Sequence, residues 1–180
     1  MSEPAARDGR EWSSQEFSDM PEITVIEADL NDTRHQTATV QLIDAYARDP
    51  MGEGQDLPAD VRDGLISGLR QHPTSLVFLA FDGATPVGVA VCFIGFSTFA
   101  ARPLINIHDL AVIPDYRGRG IGRLLLERVE AKGRDLGCCK LTLEVREDNH
   151  RAQRLYQRFG FGDMPSELGP VRHWFLQKRL

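Results

Sequence analysis

The stretch "DYRGRGIGRLLL", Asp115 to Leu126, constrains this chain more than any other. Gly118, Gly120 and Gly122 alternate with arginines, and an apolar run begins directly after them. Upstream lies "PLINIHDLAVI", apolar on both faces, which reads as a strand inside a sheet. Downstream, Ile121, Leu124, Leu125 and Val129 recur at helical spacing and predict a helix from Gly120 to Leu136, closed by Gly137. "KLTLEV" follows as another strand. A buried strand, a helix and a second strand in that order predict a right-handed parallel crossover.

The turn itself predicts a ligand. Glycine accepts unusual dihedrals and lets the chain approach a bound group closely. The first N–H groups of a helix have no internal partner and carry the positive end of its dipole. Arg117, Arg119 and Arg123 add donors suited to phosphate oxygens. A phosphorylated ligand of pyrophosphate size fits this description. The alternative is a surface loop with solvated arginines. G-x-G-x-G is not the dinucleotide pattern G-x-G-x-x-G, because position 123 is Arg. No lysine follows the last glycine as a phosphate-binding P-loop requires. Nucleotide binding by another chemistry stays open on this loop alone.

The remaining pattern surrounds that unit. "ITVIEA" alternates like a first strand. Arg34 to Tyr46 reads as a helix, with Val40, Ile43 and Ala47 at helical spacing, and Ala59 to Arg70 as a second. Between them lies the loop "ARDPMGEGQDLP". "SLVFLAFDGATPVGVAVCFIGF" predicts a hairpin turning at Asp82-Gly83. Asn149 to Phe159 predicts a last helix with Gly160 behind it, and "VRHWFLQKRL" a closing strand. The order β-α-α-β-β-β-α-β-α-β defines one mixed α/β domain. Residues 1–21 read as a flexible tail, leaving 22–180 as the domain.

Composition removes several classes. The formal net charge is −5, which disfavours a general nucleic-acid binder. No apolar run approaches the roughly 18 residues of a membrane span. The N-terminal residues lack a secretory h-region. The 3 cysteines have no zinc-ligand spacing and suit a reducing, cytoplasmic setting.

Two motifs carry a resemblance. "RGRGIG", Arg117 to Gly122, resembles the coenzyme A signature R/Q-x-x-G-x-G/A of GNAT N-acetyltransferases. From Asn149 to Phe161 the chain is similar to their N-x-x-A-x-x-L-Y-x-x-x-G-F hallmark. The resemblance implies an α/β, α+β layered fold: a mixed, mostly antiparallel sheet of roughly six to seven strands flanked by about four helices. It implies acetyl-CoA as co-substrate and direct transfer to an amine. Its cofactor contacts would be Leu110, Ala111 and Val112 along the central strand, Arg117, Gly118, Arg119, Gly120, Ile121, Gly122 and Arg123 at the turn, and Asn149, Arg151 and Tyr156 on the last helix. One strand N–H would polarise the thioester carbonyl. Tyr156 takes the general-acid position, also open to a core-packing role.

For the base, His108 and Asp109 precede Leu110 on the donor strand. Alternation predicts Asn106, His108 and Leu110 on one face, with Ile107 and Asp109 on the other, unless a bulge intervenes. Arylalkylamine acetyltransferases resemble this chain in placing His before a Leu-Ala-Val-like segment. Spermidine/spermine acetyltransferases are similar around "FSTFAARPLINIHDLAV" but carry an acidic pair at His108-Asp109. The family layout assigns the acceptor to the loop Tyr46 to Asp56 and the hairpin Phe96 to Pro103. Tyr46, Asp49, Phe96, Phe99 and Asn106 are the candidates there, with Asp44, Glu53 and Asp56 adding negative charge. The expected partner is a small-molecule amine, cationic or arylalkyl, with no nucleic acid and no membrane. A homodimer is expected through the closing strand. A protein amine as acceptor and a non-catalytic acyl-CoA-binding module are the other readings.

Overall fold

The computed structural model describes residues 23–162. The tail and the closing strand lie outside the described residues. Two compact units divide after Glu144.

The first unit is built on a five-stranded sheet among the described residues, in the order β1-β2-β3-β4-β5. β1 (Ile23–Glu27), β2 (Ser75–Asp82), β3 (Thr85–Ser97) and β4 (Arg102–Val112) run antiparallel, and β5 (Leu141–Leu143) pairs parallel to β4. The parallel pairing is the one expected of the strand–helix–strand unit. β5 is shorter than "KLTLEV" suggests and pairs only with Ile105, Asn106 and Ile107.

α1 (Thr33–Arg48) starts at Asp32, whose carboxylate accepts from Arg34 N at 2.7 Å and His35 N at 3.2 Å. Its buried positions include Ala38 and Leu42, which pack with Leu69 of α2 (Ala59–Gln71) on Val77, Leu79, Phe81, Val89 and Val91. The opposite sheet face carries α3 (Ile121–Asp135). A Cβ built on Gly88 would lie 3.2 Å from the side chains of Ile121 and Leu125, so this helix rides on a bare strand backbone. The helix buries Ile121, Leu125, Leu126 and Val129, whereas Leu124 is 37% exposed. The expected stripe is therefore corrected by one residue, with Leu126 taking the place of Leu124.

β4 does not keep simple alternation. Val91 faces Asp109 and Cys92 faces Ile107, so His108 has no partner on β3. This is a β-bulge, with two residues of one strand set against one of the other. Directly opposed residues share a face. Asp109 therefore shares the Val91 face, and Leu110, opposite Ala90, moves to the other. His108 also meets Phe93, which opposes Asn106. The expected division is corrected: Asn106, His108 and Asp109 lie together, while Ile107 and Leu110 face α3.

The loop after α1 folds back on the helix end. Gly52 N donates to Asp49 O, and Glu53 N and Gln55 N both donate to Ala47 O. A Cβ on Gly52 would sit 2.2 Å from Tyr46 O, so only glycine fits there. Asp44 anchors the far side: it accepts from Leu57 N at 3.1 Å and pairs with Arg48 and Arg62 at 3.0 Å each. Burial acts to raise its carboxyl pKa, but the Leu57 amide and the two guanidinium groups outweigh it and hold it below the usual 3.8. A depressed folded pKa gives stability that is present above the unfolded value and lost as pH falls through the folded one. Asp44→Asn should therefore lower stability by about 1 kcal/mol at pH 7, with the gap narrowing as pH falls below the usual 3.8. Urea unfolding at neutral and at acid pH checks this, and a gap that does not change with pH contradicts it.

The second unit, within its described residues, holds α4 (His150–Phe159). Asn149 caps it by accepting from Ala152 N at 3.1 Å, and Gly160 ends it at φ +99°.

Candidate active site

Beyond Ile107 no described strand covers the outer edge of β4. Leu110, Ala111 and Val112 lie on that stretch, still paired with β3 on the other side. Main-chain groups of such an edge are available to an extended ligand.

The edge runs into the glycine turn. A 3-10 turn at Pro114–Tyr116 reverses the chain. Gly118 follows at φ +81°, and Gly120, at φ +82°, is the N-cap of α3. Backbone bonds run from Arg117 N to Pro114 O and from Arg123 N and Leu124 N to Gly120 O. Between them the amides of 118 to 122 take no backbone acceptor among the described residues. A Cβ on Gly118 or Gly120 would meet nothing within 4 Å, so open space lies beside this turn. Successive free amides at a helix N-terminus form a concave anion cradle. A diphosphate fits their donor chemistry, and an extended pantetheine arm fits the open strand edge.

The arginines are placed differently from expectation. Arg117 donates through Nε to Val112 O at 2.8 Å, and its Nη2 pairs with the Asp49 carboxylate. Arg119 donates to Asp115 O at 2.9 Å, with its guanidinium 4.7 Å from the Tyr116 ring centre. Arg123 pairs with Glu127 along α3 at 2.8 Å. Arg119 and Arg123 are exposed, whereas Arg117 is turned inward. The cradle thus consists of main-chain donors with two exposed cations beside it.

On the face corrected by the bulge, His108 Nδ1 lies 3.3 Å from Asp109 Oδ2. The imidazole is 64% exposed and the carboxylate 27%. Burial raises the Asp109 pKa, partly offset by His108. Phe93 meets the His108 ring edge-on at 5.7 Å. In the tautomer protonated at Nδ1, the ring donates to Asp109 and Nε2 keeps its lone pair toward solvent. Cys92 is fully buried, and burial, reinforced by the Asp109 carboxylate, pushes its thiol up to about 12. It is protonated at neutral pH and offers no ready nucleophile.

The acceptor candidates are dispersed. Asp49 ends α1 and accepts from Met51 N at 2.9 Å besides pairing with Arg117. Asp44 and Asp56 are engaged by Arg48, and Asp44 also by Arg62, which neutralises much of the expected acidic loop. Asn106 bridges β4 to β5 by donating to Thr142 Oγ1 at 3.1 Å. Tyr46 is half-buried on α1, whereas Phe96 and Phe99 are exposed at the hairpin end. Asn149, Arg151 and Tyr156 belong to the second unit. There Asn149 is a cap, Arg151 is exposed, and Tyr156 is buried with its ring 5.8 Å from Phe161. The Asp49–Arg117 pair has no sequence signal, because 68 residues separate its members.

Among the described residues, a strand edge without a partner strand thus runs into a turn whose main-chain amides take no backbone acceptor. The chain belongs to the acetyltransferase (GNAT) family, whose model matches residues 39–161. It is 36% identical over 88 residues to the thialysine N-epsilon-acetyltransferase of Bos taurus, covering 49% of this chain and 51% of that one. It is 41% identical over 86 residues to the N-alpha-acetyltransferase MAK3 of Arabidopsis thaliana, covering 48% and 44%. The chain thus spans about half the length of the curated relatives it matches. The crystal structure of a probable acetyltransferase superposes with a TM-score of 0.72 at 20% identity, over 87% of this chain and 98% of that one. The aminoglycoside N-acetyltransferase AAC(6')-Iy in complex with CoA gives 0.68 at 19%, over 88% and 96%. At these identities the likeness concerns the fold.

Proposed function

We propose that this chain is an acetyl-CoA-dependent N-acetyltransferase that transfers acetyl directly to a primary amine. A small cationic or arylalkyl amine is the preferred acceptor over a protein amine. The observation that carries the reading is the β4 edge, which no described strand covers beyond Ile107, leading into the amide cradle at 118–122. The relatives named as thialysine and aminoglycoside acetyltransferases support an amine acceptor.

Acetyl-CoA supplies an activated acyl group whose leaving group is a thiolate. The chain's own residues do the rest. Main-chain groups of Leu110 to Val112 hold the arm and orient the carbonyl, and the 118–122 amides hold the diphosphate. His108 Nε2 accepts the proton that the attacking amine loses, with Asp109 fixing the ring. Tyr156 donates to the departing sulfur. A phenol titrates near 10 and a thiol near 8.5, so full transfer is uphill by about 2 kcal/mol and the hydroxyl acts chiefly as a hydrogen-bond donor. The buried, protonated Cys92 supports direct transfer over an acetyl-enzyme.

No helix of the described residues is long and apolar enough to cross a membrane. A cytoplasmic location belongs to this reading, supported by three unpaired cysteines. A homodimer belongs to it as well, resting on the expectation from "VRHWFLQKRL", which lies outside the described residues. Tyr156→Phe should lower kcat about a hundredfold with little change in the acetyl-CoA KM. CoA-thiol release in the presence of spermidine and tryptamine measures it. An unchanged kcat removes Tyr156 from the chemistry, and no amine-dependent release from the parent chain contradicts the proposal.

A further inference from the structure

Cys138 and Cys139 are adjacent, half-buried free thiols that take no part in the chemistry described above. They occupy the turn between α3 and β5. Gly137, at φ +66°, donates to Arg134 O at 3.0 Å, and Cys138 N donates to Gly133 O at 2.8 Å. These two bonds are the left-handed glycine closure of a helix end. Cys139 N donates to Pro103 O at 2.8 Å, which ties the next residue to the start of β4. Arg102 holds the turn from the same side, donating through Nε and Nη2 to Gly137 O at 3.1 and 2.8 Å. The backbone on both sides of the two thiols is therefore fixed. Cys139 lies in a bend and β5 begins only at Leu141, so strand alternation does not send the two side chains to opposite faces.

The chemistry of the pair narrows what it takes. Burial pushes the Cys138 thiol up, the charge of Cys139 adds to this, and Arg102 opposes it. A thiol kept protonated attacks disulfides and oxidants slowly. A direct disulfide here is also strained, because neighbouring Cα atoms are about 3.8 Å apart whereas ordinary disulfides span roughly 4.4–6.8 Å. A third atom between the sulfurs relieves that strain. It must be soft, to suit sulfur, and satisfied by two protein ligands, because no group of 3 or more His, Cys, Asp or Glu among the described residues could hold a metal ion. Trivalent arsenic carrying one organic substituent meets both demands.

We propose that Cys138 and Cys139 form a dithiol site for a trivalent organic arsenical, held ready by the turn between α3 and β5. An arsenical of the form R–As=O condenses with both thiols. Two As–S bonds form, the As=O bond breaks, and the two thiol protons leave with its oxygen as water. Arsenic stays trivalent, and nothing is oxidised or reduced. Cys92, the third cysteine, is fully buried and has no second thiol with which to chelate. The site lies beside Arg102 and Pro103, at the opposite end of β4 from Leu110 to Val112, and is independent of the acetyl-CoA reading.

Phenylarsine oxide given to the full chain tests this, with intact mass measured after a wash in excess glutathione. One arsenical per chain should survive the monothiol, and dithiothreitol should remove it. Cys138→Ser and Cys139→Ser should each lose the adduct in the wash, because one sulfur cannot close the ring. Either variant carries this arm where the other does not fold. The contribution of the turn is read by comparing release from the folded chain with release from the chain unfolded in urea, where the cysteines stay adjacent but the turn is gone. The folded chain should need about tenfold more dithiothreitol. No retained arsenical in the parent, retention unchanged in the serine variants, or release as easy from the folded chain as from the unfolded one overturns the inference.

Discussion

Gly120→Asp should weaken CoA binding by about a hundredfold or more, which is about 2.7 kcal/mol or greater. Two effects add at this position. Gly120 holds φ +82°, a conformation that costs a residue with a side chain roughly 1–2 kcal/mol. A carboxylate would then project from the N-cap of α3 into the open space beside the turn. There it would compete for the amides of 118 to 122 and repel a diphosphate. Gly120→Ala separates the two effects. It carries the backbone strain without the charge and should weaken CoA by less than tenfold. Asp enters the left-handed region more readily than most side chains, so the variant keeps its fold. Titration calorimetry with CoA reads both variants. Equal affinity for all three proteins would show that the diphosphate does not sit on this turn.

His108→Ala should lower kcat/KM about a hundredfold at pH 7. The argument rests on the bulge. Without it, Asp109 would face α3, away from the imidazole. With it, Nδ1 and Oδ2 are 3.3 Å apart, and Phe93 holds the ring from the side. Asp109→Asn should cost rate as well, and its stability effect has the opposite sign. The Asp109 pKa is raised by burial, so ionisation opposes folding. That penalty is absent below the unfolded value near 3.8 and complete above the raised folded value. At neutral pH the asparagine variant should therefore melt no lower than the parent while turning over more slowly. A rate unchanged in both variants would transfer the base role to water.

Much of the architecture was legible because local pattern and tertiary role agree. The glycines closing two helices and the hairpin at Asp82-Gly83 are short-range signals. The first helix, by contrast, buries Ala38 and Leu42 beside Ala47, where spacing favoured Val40, Ile43 and Ala47. The bulge at His108 was not legible, since it arises from register against β3 and leaves no mark in the β4 sequence. The shift from Leu124 to Leu126 has a similar origin. Only the packed helix separates the two, with Leu126 fully buried and Leu124 37% exposed. The arginines of the turn read as phosphate donors because sequence shows charge but not its partner. Asp49 read as an attractor for a cationic substrate for the same reason. The two residues satisfy each other, and each thereby loses part of the role its charge suggested.

Mass-spectrometric detection of acetylated product tests the central claim most directly. The full chain would be given acetyl-CoA and a mixture of spermidine, a lysine analogue, tryptamine, an aminoglycoside and a short peptide. The account predicts a mass increase of one acetyl group on a small cationic or arylalkyl amine, dependent on both enzyme and acetyl-CoA. Acetylation of none of them, by a chain that calorimetry shows to bind CoA, would contradict it and leave an acyl-CoA-binding module in its place.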